Sequence, residues 1–162
     1  MVKEQVNGLA DDRNHAVTGP DSLAAPMVIE FGFERTTGPL VGAFLAGLRD
    51  GVLLGTTAGC PPPEFDPDTG QLADLADLVP LPDTGTVTAW TWVPHRPCDT
   101  LPRDFAWALI TIDGTAGGGL LHAVDTGGDM ARMATGMRVR ARWRAAADRV
   151  GEISDIKCFE KA

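Results

Sequence analysis

Apolar positions follow two different periods along this chain. Between residues 38 and 50, Leu40, Val41, Phe44, Leu45 and Leu48 recur three to four residues apart, which predicts a helix with one apolar stripe. Thr37 stands where an N-cap belongs, Pro39 lies just inside the first turn, and Gly51 offers a stop. A helix with a single stripe has to lie on something. From residue 85 onward the pattern becomes strand-like. The segments are TVTAWTWV (86–93), FAWALITI (105–112), GLLHAV (119–124), MRVRARWRA (137–145) and EISDIKCF (152–159). Each is rich in β-branched or aromatic residues and is bounded by Gly, Pro or Asp. Asp113-Gly114 and Gly117-Gly118 mark a turn between the second and third, and residues 129–136 have room for one helical turn closed by Gly136.

The intervening residues 55–84 follow neither period. Pro61, Pro62, Pro63, Pro67, Pro80 and Pro82 exclude regular structure over most of this stretch. One short helix fits at 71–78, where Leu72, Leu75, Leu78 and Val79 would share a face. Residues 1–26 are polar and aperiodic, as expected of a flexible tail or linker. Ordered structure should begin near Met27 with the run VIEFGF (28–33). The expected organisation is a tail at 1–26, a strand and helix segment at 27–54, a proline-rich lobe at 55–84 and a β-domain at 85–162. Five short strands with a helical insertion after the third are the pattern of an OB-type barrel, so the fold is expected to be mainly β. The loop 95–103, joining the first two barrel strands, is long and proline-punctuated, and its position suits function.

Composition narrows the picture. With 162 residues the chain suits one domain with a core of its own, and 19 glycines with 12 prolines favour short elements and frequent turns. Twenty-two acidic against 14 basic side chains give a net charge of -8, which repels phosphate backbones and disfavours nucleic acid as a partner. No apolar run approaches the roughly 18 residues of a membrane span, and no signal-peptide core is seen at the N-terminus. Cys60, Cys98 and Cys158 never form a CxxC pair and read as free thiols of a reducing cytoplasm.

The clearest chemical pattern is Arg138, Arg140, Arg142 and Arg144, alternating with Met137, Val139, Ala141, Trp143 and Ala145. Period-two alternation places the guanidinium groups on one face and the apolar set toward the core. That face is either a charged, solvated strand or a strip that reads anions, such as an acidic partner surface or coenzyme A phosphates. No Lys or Arg occurs between Arg49 and Arg96, so the acidic residues there, from Asp50 to Asp83, could offset the strip. They lack the spacing and glycine of a calcium loop. Trp90, Trp92, Trp107 and Trp143 read as core, although exposed tryptophans on such a barrel would stack bases. His15, His95 and His122 lack metal-ligand spacing, and His122 reads as a buried, satisfied histidine. Cys98, three residues from His95, is a weak candidate nucleophile without an activating helix terminus. Phosphate-loop, nucleophile-elbow and HExxH motifs are missing, so no catalytic set and no cofactor is expected.

The order of these features resembles the domain of unknown function 35 family. The resemblance rests on the helix ending in Gly51-Val52-Leu53-Leu54, the proline-rich segment, Asp83-Thr84-Gly85-Thr86-Val87, the FAWALITID strand and Gly136-Met137-Arg138-Val139. It runs from about residue 31 to 159. It implies an OB-fold preceded by a rubredoxin-like zinc ribbon with two CxxC knuckles, in a partner subunit of thiolase-like enzymes that act on acyl-CoA thioesters. The ribbon departs from that pattern: the second knuckle falls on Asp66 and Thr69, and Cys60 has no mate upstream. The resemblance therefore implies a degenerate, metal-free ribbon lobe. It is similar in this to the auxiliary domain of bacterial steroid side-chain degradation, in which a hydratase subunit carries the domain and docks a lipid-transfer-protein-type aldolase. A non-catalytic auxiliary domain is the first reading, with His95, Arg96, Arg103, Arg138, Arg140, Arg142 and Arg144 as partner- or CoA-binding residues. A single-stranded nucleic-acid-binding OB module is the second. A cysteine-dependent acyl-CoA enzyme resting on Cys98 is the third.

Overall fold

Helix α1 spans Gly38–Asp50, as its apolar spacing predicts, and buries Leu40, Phe44, Gly47 and Leu48. Gly51 ends it in the left-handed region at φ 76°, where the Gly51 and Val52 amides donate back to Leu48 O and Gly47 O. That paired closure satisfies carbonyls the helix end would otherwise leave open. Thr37 occupies the N-cap position without capping. Its backbone is helical rather than extended, and its hydroxyl makes no bond to the first-turn amides.

This computed structural model describes residues 32, 37–65, 69–97, 99–117 and 119–162. The expected tail at 1–26, most of the run at 28–33, Asp66 and Cys98 lie outside the described residues.

The proline-rich lobe holds more order than its prolines suggest. Strand β1 (Leu53–Gly55) pairs antiparallel with β2 (Val79–Leu81), and Pro80 sits opposite Leu54. A two-stranded ribbon tolerates proline because each strand is an edge. The helix expected at 71–78 shrinks to one 3₁₀ turn at Leu75–Asp77. Asp74 caps it by accepting from the Ala76 amide at 3.0 Å, and the Asp74 amide donates to the Asp77 carboxylate at 3.3 Å. Pro80 biases Val79 toward extended backbone, so the chain leaves the turn directly for β2. Leu72, Leu75 and Val79 consequently share no buried face and stay exposed.

The five remaining strands are β3 (Thr84–Val93), β4 (Phe105–Ile112), β5 (Leu120–Asp125), β6 (Arg138–Trp143) and β7 (Ile156–Lys161). They close into a barrel in the order β3-β4-β5-β7-β6, with β6 returning to β3. Only β5 and β7 run parallel; the other pairs are antiparallel. A single 3₁₀ turn, Met130–Arg132, stands between β5 and β6, capped by the Asp129 side chain. This is the OB-fold connectivity. The interior is filled by Val87, Ala106, Ala108, Ile110, Ile112, Leu120, Val124, Val139, Ala141, Ile156 and Phe159, with Phe44 and Leu48 of α1 in the same core. Trp90, Trp92 and Trp143 pack half-buried against it.

Outside the barrel wall, Leu101, Phe105, Ala123 and Cys158 form a second small core with Val93. The β3–β4 connection folds back to supply Leu101, so this long loop is anchored by burial rather than hanging free. Among the described residues no helix is long and apolar enough to cross a membrane.

Candidate functional site

The β3–β4 loop shows how the sequence builds a projecting segment on a fixed base. The His95 amide donates to Asp104 Oδ1 at 2.9 Å and the Arg96 amide to Asp99 Oδ2 at 2.7 Å. These bonds hold the loop backbone while the His95 and Arg96 side chains remain exposed. Arg103 leaves the loop at its far end and lines a cavity with Arg142.

The four strand arginines do not form one free strip. Arg138 meets Asp113 through both nitrogens, with Nη1 at 2.6 Å from Oδ1, and also donates to Thr86 Oγ1 at 3.0 Å. The Arg138 bonds, then the Thr84 hydroxyl at 2.5 Å, hold the Asp113 carboxyl down at about 2. Arg140 lies 3.7 Å from Asp83. Arg142 lies 3.4 Å from Asp125 and 3.3 Å from Glu160. Among the described residues of the acidic stretch at 50–83 only Asp83 takes part; the other partners come from the barrel's own neighbouring strands and turn. Arg144 faces a separate hollow with Thr100, Trp143, Asp148 and Lys157. The four arginines therefore have four different surroundings, and the irregularity at Arg142/Trp143 separates Arg144 from the other three.

A different surface stays uncovered. On β4, Ala106, Ala108, Ile110 and Ile112 point into the barrel, which turns Trp107 and Leu109 outward. Trp107 is 38% exposed and Leu109 39%, and Leu121 of β5, directly opposite Leu109, is 62% exposed. Trp107 is thus a surface residue, against the expectation that all four tryptophans are core. Its ring stands edge-on to Phe105 at 5.6 Å, which fixes it from the loop side. Neither β4 nor β5 contains a Lys or Arg. Parity with the small inward residues Ala106 and Ala108 was the sequence signal for this strip.

Two further titratable groups, His122 and Cys60, are buried. His122 is buried; burial pushes its pKa down, against hydrogen bonding to backbone groups. Its Nδ1 accepts from the Ala123 amide at 2.9 Å, and Nε2 lies 3.4 Å from Ile153 O, as a neutral ring requires. Burial drives the Cys60 thiol up to about 12, and its Sγ contacts Leu54 O at 3.8 Å. Cys60 fills space in the lobe as a small hydrophobe. Among the described residues no three His, Cys, Asp or Glu side chains stand close enough to hold a metal ion.

A closed five-stranded barrel of this connectivity defines an OB-fold domain. Residues 78–144 match the family model described as ChsH2, C-terminal OB-fold domain. A solved structure of the Ltp2-ChsH2(DUF35) aldolase is similar at 18% identity and TM-score 0.49, over 74% of this chain and 91% of that one. A DUF35-family protein of unknown function from Sulfolobus solfataricus is similar at 18% identity and TM-score 0.49, over 65% of this chain and 78% of that one. Comparison with curated protein sequences finds no match.

Proposed function

We propose that this chain is a non-catalytic auxiliary domain that docks on a thiolase-fold aldolase and supports its action on acyl-CoA thioesters, in the cytoplasm. Residues 85–162 would be the docking barrel, residues 55–84 a degenerate ribbon lobe, and residues 1–26 a linker, including one to a hydratase domain. The observation that carries this reading is the uncharged apolar strip of Trp107, Leu109 and Leu121, which lies within the residues 78–144 that match the ChsH2 C-terminal OB-fold model. ChsH2 is a named component of the Ltp2-ChsH2 aldolase. Large apolar side chains side by side in water favour a protein partner. Steroid side-chain degradation is the substrate setting we favour, with the retro-aldol chemistry belonging to the partner. The loop bearing His95, Arg96 and Arg103 would reach toward the partner's substrate channel.

The same face is where OB-folds stack single-stranded nucleic acid, and Trp107 alone would suit that role. The lack of any cation on β4 and β5, on a chain of net charge -8, argues against it. Co-expression with a thiolase-type aldolase subunit followed by size-exclusion chromatography tests the proposal. The parent chain should co-elute, and a W107S/L121D variant should elute alone while keeping its circular dichroism spectrum. Co-elution of that variant, or salt-dependent binding of the parent to oligonucleotides, would refute it.

A further inference from the structure

We propose that the cavity beside the end of β5 is a binding site for a phosphate dianion, free or as a phosphomonoester. The hollow has a volume of about 320 Å³ and is lined by Arg103, Arg132, Arg142 and Lys161 together with Asp125 and Glu160. Four cations against two carboxylates leave a local charge of +2, on a protein whose overall charge is -8. Such a local reversal of sign concentrates anions.

The pairing within the cavity sharpens this. Both carboxylates are engaged by Arg142, at 3.4 and 3.3 Å. Arg103, Arg132 and Lys161 have no carboxylate partner among the described residues. Arg132 spends one donor, Nη1, on Thr126 O at 3.3 Å, which fixes its position and leaves its remaining donors available. The Arg142 Nε is buried, and Cys158 of β7 is the residue opposite Arg142 in the sheet.

The loop after β5 is shaped to bring these groups together. Gly127 and Gly128 adopt φ of 78° and 82°, a conformation other residues rarely take. A Cβ at Gly127 would stand 3.5 Å from Arg132 Nη1, and one at Gly128 would stand 3.8 Å from the Arg103 stem. These are ordinary contact distances, so it is the positive φ that calls for glycine in this turn, which the Gly127 amide closes by donating to Asp125 Oδ1 at 2.8 Å. Three cations free of carboxylates call for more than one negative charge, and two planar guanidinium forks match tetrahedral phosphate oxygens. The volume admits a phosphate and part of an attached group.

This site stands apart from the apolar docking strip, so its test is separate from that of the auxiliary role. Isothermal titration of the full chain would use inorganic phosphate, adenosine monophosphate, adenosine and sodium chloride at matched ionic strength, with amide shifts of Gly127 and Gly128 followed by NMR. Phosphate or the monophosphate should bind and move those two amides, while adenosine and chloride should not. A preference for the monophosphate would assign the site to an ester, and a preference for inorganic phosphate to the free ion. R132Q/K161Q replaces two exposed side chains and should retain the fold while weakening binding at least tenfold. Chloride matching phosphate, no binding of either phosphate probe, or an unchanged affinity in the double variant would overturn the proposal.

Discussion

Asp155 offers a test of how the chain between β6 and β7 is held, and its magnitude can be worked from the contacts. Its side chain is fully buried at the end of a 3₁₀ turn, Ile153–Asp155. The carboxylate accepts from the Val150 amide at 3.0 and 3.2 Å, from Gly151 at 2.7 Å and from Glu152 at 3.1 Å. Burial alone would raise its pKa; the three amides, with the charge of Arg144, outweigh that and bring it below the ordinary value. Charge-assisted hydrogen bonds contribute about 1.5–3 kcal/mol each when measured singly. Val150 and Glu152 lie at the surface, where water can replace part of what is lost. We therefore expect Asp155→Ala to cost about 2–4 kcal/mol rather than the full sum. For a protein of this size that corresponds to a fall in Tm of about 5–15 °C. Asp155→Asn keeps an acceptor but not the charge and should cost about half as much.

The pH dependence follows from the sign of the shift. A carboxylate with a depressed folded pKa stabilises the fold fully above the unfolded value, about 3.9. As pH falls, the unfolded chain takes up the proton first, and the contribution disappears through the folded pKa. Urea unfolding followed by tryptophan fluorescence should show a parent–Asn difference that is constant from about pH 7 to 5 and shrinks below about pH 4. A loss below about 0.5 kcal/mol for Asp155→Ala, or a difference that does not change with acid, would refute the reasoning.

Further outcomes are expected at other positions. The Asp113 carboxyl should titrate near 2 by NMR, and in Arg138→Gln it should move up toward the ordinary carboxylate range; an unmoved titration would dismiss the pair as its cause. Gly51→Ala should destabilise by about 1–2 kcal/mol in a thermal melt, because φ is 76° there and a Cβ would meet the Arg149 guanidinium; a neutral result would mean the helix end relaxes freely. Elemental analysis of the purified chain should find no stoichiometric zinc, and about one zinc per chain would overturn the degenerate ribbon. Cys98→Ala should leave the turnover of a reconstituted aldolase complex unchanged; a large loss with assembly intact would bring back the nucleophile reading.

Much of the architecture follows from local pattern. The stripe from Leu40 to Leu48 and the stop at Gly51 determine α1, and alternating β-branched and aromatic residues determine the five barrel strands to within about four residues at their ends. These features are legible because a helix face and a strand face each repeat with a fixed short period. The β1–β2 ribbon was not legible, since Pro80 is acceptable only once Leu54 is known to lie beside it at an edge. Arg138, Arg140, Arg142 and Arg144 read as one face, yet the partners of the first three, Asp83, Asp113, Asp125 and Glu160, come from distant parts of the chain. Arg132 and Lys161 carried no local signal at all. They join Arg103 and Arg142 only because barrel closure sets the end of β5 beside β7, β6 and the β3–β4 loop. Period and composition act over a few residues, whereas charge neutralisation and cavities depend on distances in space that sequence separation does not encode.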